Sequence, residues 1–361
     1  MSNQFTKEDL KRFQAEPLED KFQRTLAKVA EWYSRWNDEV YVSFSGGKDS
    51  TVLADICAKW CSVRNIPLTL VFVNTGLEYP EIQKHVKFYA QWLRDEHGIT
   101  VNLEILRPKK RFDEVIKKYG YPMISKEVSQ KIYESRKNPK SRVASMFDEN
   151  SEYVKKYGAR YCMSKWNPLR QIDIPISHMC CTVMKKNPAK DFEKRTGKKP
   201  ILATMASESN LRKKRWIKYG CNAFDASRQT SQPISFWTEQ DVLQYIKRYN
   251  IPIASVYGDV VYTDFPEQMS LDDFGFDCGR KLCTTGCDRT GCIFCAFGAH
   301  LEKPGEGRFE RLKETHPKQY AYCIGGGEYV NGVWQPSREG LGMGHVFDEL
   351  NKIYGDDFIK Y

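Results

Sequence analysis

Two sets of residues have the types and spacing to do chemistry. The first is Ser45-Gly46-Gly47-Lys48-Asp49-Ser50-Thr51, which follows the apolar run Val40 to Phe44. Small residues at 45–47 let the backbone turn sharply and approach an anion. The apolar spacing from Thr51 to Trp60 predicts a helix. Exposed N–H groups, the positive end of that helix and the Lys48 ammonium then converge on one point, which is a phosphate site. The spacing is neither Gly-x4-Gly-Lys-Ser/Thr nor Gly-x-Gly-x-x-Gly. Lys48 brings a cation to that point, and Asp49 a carboxylate of the kind that holds Mg²⁺.

The second set is drawn from twelve cysteines. Cys180-Cys181 is a vicinal pair, and Cys292-Ile-Phe-Cys295 is a CxxC. Two thiolate pairs brought together by the fold make a four-sulfur site suited to a [4Fe–4S] cluster or to zinc. Alone, a CxxC is also a redox dithiol and a Cys-Cys also a buried pair. Cys278, Cys283 and Cys287 crowd the same region as a zinc knuckle, a persulfide carrier or free thiols. Cys57 and Cys61, four apart on the predicted helix, read as core. Cys162, Cys221 and Cys323 have no sequence partner. His178, beside the vicinal pair, reads equally as a donor to a cluster sulfur and as ordinary packing.

The elements that must position these residues follow from periodicity. A helix is expected over 8–37, with the run Phe22, Leu26, Val29, Ala30 and Tyr33 on one face. Strands are expected at 39–45, Leu68–Val73 and Val101–Leu106, separated by helices at about 49–62 and from Pro80 to about His97. Strands alternating with helices imply an α/β fold with a doubly wound parallel sheet and the ligand beyond the strand carboxyl ends. The Ser45–Thr51 loop and Asn74-Thr75-Gly76 both fall at such ends. Residues 107–175 are basic, aromatic and poorly periodic, and read as short helices and loops over the edge of the site. The alternation resumes with a helix at 185–196, a strand at Ile201–Met205, a helix at Ser209–Lys218, and Pro233–Trp237 leading into a helix at 238–249. The expected organisation is a helical segment at 1–37, a nucleotide-binding domain at 38–250 with a basic insertion at about 107–175, and a cysteine-rich, loop-rich region at 251–361.

At 361 residues and 41% hydrophobic content the chain can bury a substantial core. It has no 18-residue apolar run, and Met1 to Asp9 does not read as a signal peptide, so a cytoplasmic, membrane-free protein is expected. Cysteines there imply metal or redox chemistry rather than disulfides. The net charge of +10 is concentrated. Residues 107–142 hold 12 Lys/Arg against 4 Asp/Glu, and residues 185–215 hold 11 against 3. Such a surface favours a polyanionic partner: a nucleotide, a nucleic acid or both.

The glycine loop resembles the PP-loop of ATP pyrophosphatases, which bind the pyrophosphate of ATP and leave AMP on a substrate. His178-Met-Cys-Cys-Thr-Val-Met-Lys-Lys-Asn-Pro188 resembles the Cys-Cys-x-x-Arg/Lys-Lys-x-x-Pro element of the assimilatory sulfate (APS/PAPS) reductase family. Asn74-Thr-Gly-Leu-Glu-Tyr-Pro80, Ala206-Ser-Glu-Ser-Asn-Leu-Arg212, Pro233-Ile-x-x-Trp237-x-x-x-Asp241 and Ile251-Pro-Ile-x-x-x-Tyr257 are similar to further segments of that family, in order, from about residue 38 to 300. The resemblance implies a [4Fe–4S] cluster on Cys180, Cys181, Cys292 and Cys295. It also implies an adenine nucleotide, with Mg²⁺, held by Ser43, Phe44, Ser45, Gly46, Gly47, Lys48, Asp49, Ser50, Thr51, Asn74, Thr75, Gly76, Glu208, Ser209 and Arg212. Lys48, Asp49 and Arg212 take the catalytic roles, with Lys185, Lys186 and Lys213–Arg215 in reserve for far phosphates.

The chain departs from the sulfate reductases in two places. Their loop lacks the lysine, whereas Lys48 and Asp49 are present here. Their terminal Glu-Cys-Gly-x-His is missing; the sequence closes on Tyr354-Gly-Asp-Asp-Phe-Ile-Lys-Tyr361, and Cys323 is the one late substitute. The combination of an intact PP-loop with the cluster cysteines is more similar to sulfur-inserting ATP pyrophosphatases, the DNA phosphorothioation sulfurtransferase and cluster-dependent tRNA thiolases. The expectation is an ATP pyrophosphatase-type sulfurtransferase that adenylates an acceptor, with tRNA or DNA favoured, and takes sulfur from a cysteine desulfurase or free sulfide. The alternatives are an APS/PAPS reductase that releases sulfite with a thioredoxin-like donor, and a non-catalytic cluster-bearing sensor of nucleotide or nucleic acid.

Overall fold

The computed structural model describes residues 4–263, 281–303 and 305–361; Cys278 lies outside them. The chain divides into two compact units. One comprises residues 1–74, 78–106 and 189–290, the other residues 75–77, 107–188 and 291–361.

The first unit is built on a six-stranded sheet. Its central strand, β1 (Val40–Ser43), pairs in parallel with β2 (Leu68–Val73) on one side and with Lys199–Leu202 on the other. β3 (Val101–Leu106) extends the sheet beyond β2. Thr230–Ser231 and then the antiparallel edge Asn222–Ala223 extend it beyond Lys199–Leu202. The order runs outward from β1 in both directions, so the sheet is doubly wound and its switch point lies beside the carboxyl end of β1. Leu68-Thr-Leu-Val-Phe-Val73 is almost wholly buried, as expected of a parallel strand covered on both faces.

Helices stop where their sequences tell them to. The expected helix over 8–37 is two, α1 (Lys7–Gln14) and α2 (Leu18–Arg35), because Pro17 cannot continue the first. Thr6 caps α1 through a reciprocal pair with Asp9. α3 (Lys48–Arg64) ends on Asn65 in the left-handed region, and α4 (Pro80–His97) begins on proline and ends on left-handed Gly98. Cys57 and Cys61 are fully buried on α3. Phe44, His85, Tyr89 and Trp92 stack in series between α4 and the start of α3, with Thr51 Oγ1 3.3 Å from His85 Nε2. Lys21 on α2 is buried and reaches both carboxylate oxygens of buried Asp241, at 2.7 and 2.8 Å.

The fourth sheet strand starts at Lys199, two residues before the expected Ile201. The helix expected at 185–196 begins as a π-helical turn, Thr182–Lys186, before the α-helix Asn187–Thr196.

In the second unit Met123–Ile124 pairs in parallel with Ala296–Phe297. Short helices fill 107–175, as expected. Gly120, at φ +108°, lies against Pro175 and Ile176, where an added Cβ would stand 2.5 Å from the Pro175 carbonyl. The tail folds as helices Arg308–Thr315, Pro317–Ile324 and Met343–Tyr354 around the hairpin Glu328–Val330 and Val333–Gln335. Among the described residues no helix is long and apolar enough to cross a membrane.

Candidate nucleotide site and cysteine quartet

The glycine loop leaves β1 at the switch point and enters α3. Gly46 takes φ +73°, and an added Cβ would meet Ile82 and Val86 of α4 at 2.8 and 2.9 Å, so glycine serves both the turn and the packing. Ser50 Oγ donates to the Gly47 carbonyl at 2.9 Å and accepts from the Ser45 N–H at 3.2 Å, which ties the loop to the first turn of α3. Thr51 and Phe44, expected near the ligand, turn inward instead. Phe44 is buried against Tyr89, and the Thr51 hydroxyl is paired with His85.

Lys48 is 4% exposed. Its ammonium donates to the Asp288 carbonyl at 2.7 Å and lies 3.0 Å from a Glu239 carboxylate oxygen. Its backbone N–H donates to the Tyr257 hydroxyl at 3.1 Å, and that hydroxyl is 2.6 Å from Thr290 Oγ1. Burial pushes the Tyr257 phenol up to about 12, so it stays a neutral partner. These oxygens of Tyr257, Asp288 and Glu239 occupy the donors that a phosphate would use. Sequence reasoning missed Glu239 and the 288–290 segment, because nothing local marks residues so far along the chain as neighbours of the loop.

Asp49 is the feature that demands a partner. Burial raises its pKa, against the pull of Lys48, and its Oδ1 has no hydrogen-bond partner among the described residues. A buried carboxylate oxygen left in this way is costly unless a cation or proton joins it. Arg212 and Arg289 also act on it electrostatically. Arg212 is ion-paired with Glu208, which also accepts the Met205 N–H at 2.9 Å and lies 4.0 Å from Arg289. Burial lowers the Arg212 pKa, helped by Arg289. Ser209 caps the helix Asn210–Tyr219 by accepting the Arg212 N–H. Thr204, just past the carboxyl end of Lys199–Leu202, has a buried hydroxyl with no partner among the described residues. Ser43 and Asn74 lie at the carboxyl ends of β1 and β2 in the first unit; Thr75 and Gly76 are counted with the second, where the Thr75 hydroxyl accepts the Leu77 N–H at 3.2 Å.

Cys180, Cys181, Cys292 and Cys295 all lie in the second unit and act on one another. The Cys180 thiol is pushed up, first by its hydrogen bond to Cys181, 3.9 Å away, then by burial and by Cys181, Cys295 and Cys292. Cys181 is pushed down to about 6, first by the Cys180 hydrogen bond and then, against burial, by Lys126, Lys185 and Lys186. Burial pushes Cys295 up to about 11, and Arg308 donates to its carbonyl at 2.9 Å. The Cys292–Cys295 turn closes with a 3.0 Å N–H···O bond, and the vicinal pair leads into the π-helical turn. Among the described residues no three His, Cys, Asp or Glu are gathered around a single-ion position. The quartet's soft donor set, with lysines beside it, would suit an anionic iron–sulfur cluster or zinc. His178 Nδ1 is buried without a partner among the described residues. Cys323 is fully buried, raised by burial, and 3.5 Å from Met343 Sδ, so it is no attacking tail.

The phosphoadenosine phosphosulfate reductase domain matches the chain over residues 39–160 and 146–297. The chain belongs to that family. Its members' nucleotide-binding α/β sheet is the one described above. No curated protein matches. Among solved structures, an NMN synthetase from Francisella tularensis is similar at a TM-score of 0.33 and 10% identity, over 88% of this chain and 99% of that one.

Proposed function

We propose that the chain is an ATP pyrophosphatase-type sulfurtransferase. ATP binds at the glycine loop. An acceptor oxygen attacks the α-phosphorus, and pyrophosphate leaves. A sulfur nucleophile then displaces AMP, which departs with the acceptor's oxygen. Lys48, released from Asp288 and Glu239, neutralises the pyrophosphate; Asp49 holds Mg²⁺; Arg212 and Arg289 take the outer phosphates. The observation that carries this reading is buried Lys48 beside Asp49, whose Oδ1 is buried with no hydrogen-bond partner among the described residues, in the phosphate turn. A site that reduces a sulfonucleotide forms no pyrophosphate and has no need of a cation beside such a leaving group. Cys180, Cys181, Cys292 and Cys295 would hold a [4Fe–4S] cluster, which would supply sulfur-carrying or electron-transfer chemistry. The basic stretches favour tRNA or DNA as acceptor and a cysteine desulfurase as donor.

The test is anaerobic incubation with ATP, Mg²⁺ and sulfide in the presence of bulk tRNA or DNA. AMP and pyrophosphate in equal amounts, lost in Lys48→Ala, are expected. Family membership favours one second reading, reduction of APS or PAPS, and sulfite release without ATP cleavage would select it.

A further inference from the structure

We infer that the segment 140–165 of the second unit is a stacking platform for single-stranded nucleic acid. The inference rests on the nucleic-acid reading above and locates the contact surface. The helix Glu152–Tyr157 places Tyr153 and Tyr157 one turn apart, and the 3₁₀ turn Ala159–Tyr161 adds Tyr161. The three rings form one cluster, with centroids 4.8, 6.2 and 6.3 Å apart. Tyr157 is 48% exposed, which a core cluster would not be. Each ring has a cation over it: Arg142 at 5.8 Å from Tyr153, Lys156 at 5.5 Å from Tyr157 and Arg160 at 4.8 Å from Tyr161. All three cations are exposed, as are Lys140, Lys155 and Lys165.

Rings that offer faces to bases, interleaved with cations that reach phosphates, are what sequence-tolerant single-strand binding requires. A purely apolar partner would leave the cations unpaired, and a duplex would hide the base faces that the tyrosines need. The helix is held independently of the rings. Ser151 caps it through Val154 N–H and donates to the Ser145 carbonyl at 2.7 Å, and Val154 is buried beneath.

The test is fluorescence anisotropy of the full chain with labelled 16-nucleotide DNA and RNA strands, and their duplexes, at two salt concentrations. Single strands are expected to bind more tightly than duplexes. Tyr157→Leu and Tyr161→Leu should each weaken single-strand binding about tenfold, while Tyr157→Phe keeps it. Arg142→Gln with Arg160→Gln should weaken binding of every sequence and lower the salt slope by about 1.4. Unchanged binding in the leucine and glutamine variants, or a preference for duplex, overturns the inference. Circular dichroism of each variant separates lost contact from lost fold. ATP cleavage without added nucleic acid, or ATP binding where cleavage needs the acceptor, is read in parallel. Intact ATP chemistry with no single-strand binding sinks only the platform; single-strand binding without ATP cleavage sinks the proposed reaction.

Discussion

Asp49 decides most at the scale of single residues. Its Oδ1 is buried next to Lys48 and yet lacks a partner among the described residues, a cost that a structural role does not explain. Asp49→Asn removes that charge. The variant is expected to unfold at the same or a higher urea concentration than the wild type, while AMP formation falls at least about 100-fold. A loss of stability comparable to the loss of activity would return Asp49 to the scaffold. Arg289 is two-thirds exposed and acts on Asp49 and Glu208, so it is placed to bind nucleotide rather than to build the fold. Arg289→Gln is expected to raise KM for ATP about tenfold with kcat little changed, since a grip on the far phosphates acts equally in ground and transition states. Steady-state kinetics separates the two constants. The loop's own residues were legible because their types suffice: small residues, a lysine and an acid after an apolar run. Glu239, Asp288 and Arg289 were not legible, because only the fold brings them to the loop.

The elements were legible in proportion to their length. Leu68–Val73 and Val101–Leu106 appear with the expected bounds because six residues are too short for a helix and are rich in β-branched or alternating apolar positions. Thr230–Ser231 and Asn222–Ala223 are two residues each, too short for any period to register. Lys199–Leu202 starts two residues before the expected Ile201, and Pro200 within it is accommodated because the neighbour on its far side pairs only at Ile201↔Ser231. Two element-scale effects follow. Gly120→Ala places a Cβ 2.5 Å from the Pro175 carbonyl at a φ that side chains rarely adopt, and is expected to cost about 2–4 kcal/mol in equilibrium unfolding. His85, stacked on Tyr89 and tilted against Phe44, is lowered by burial to about 4. Its folded pKa lies below its unfolded value near 6.5, so the unfolded chain takes the proton first. The contribution is fully present above about pH 6.5 and is lost as pH falls towards 4. Between pH 8 and pH 5 this amounts to about 2 kcal/mol. Urea melts across that range should show the slope in the wild type and a flatter one in His85→Asn.

Over the whole molecule, the phosphate loop and the cysteine quartet belong to different compact units. On the proposed function, Cys292→Ser is expected to strip the iron and sulfide the quartet would hold while ATP binding stays within about twofold, checked by metal analysis and equilibrium dialysis. In the first unit the α2 lysine, Lys21, and Asp241 form a buried ion pair with side chains 3% and 9% exposed. Lys21→Met leaves that carboxylate buried without its cation, and about 3–5 kcal/mol of stability should go with it. The charge concentrated in 107–142 and 185–215 was visible in the sequence as a reason to expect a polyanion. The arrangement of Tyr153, Tyr157 and Tyr161 under their cations was not visible, because ring-to-ring geometry depends on how a short helix and a 3₁₀ turn meet. The central claim is that Lys48 and Asp49 split ATP between its α and β phosphates. It is tested most directly by the products formed when anaerobically purified protein meets ATP, Mg²⁺, sulfide and bulk nucleic acid. AMP and pyrophosphate in one-to-one ratio, abolished by Lys48→Ala, is the predicted result; ADP and phosphate, or intact ATP with sulfite released from PAPS, would contradict it.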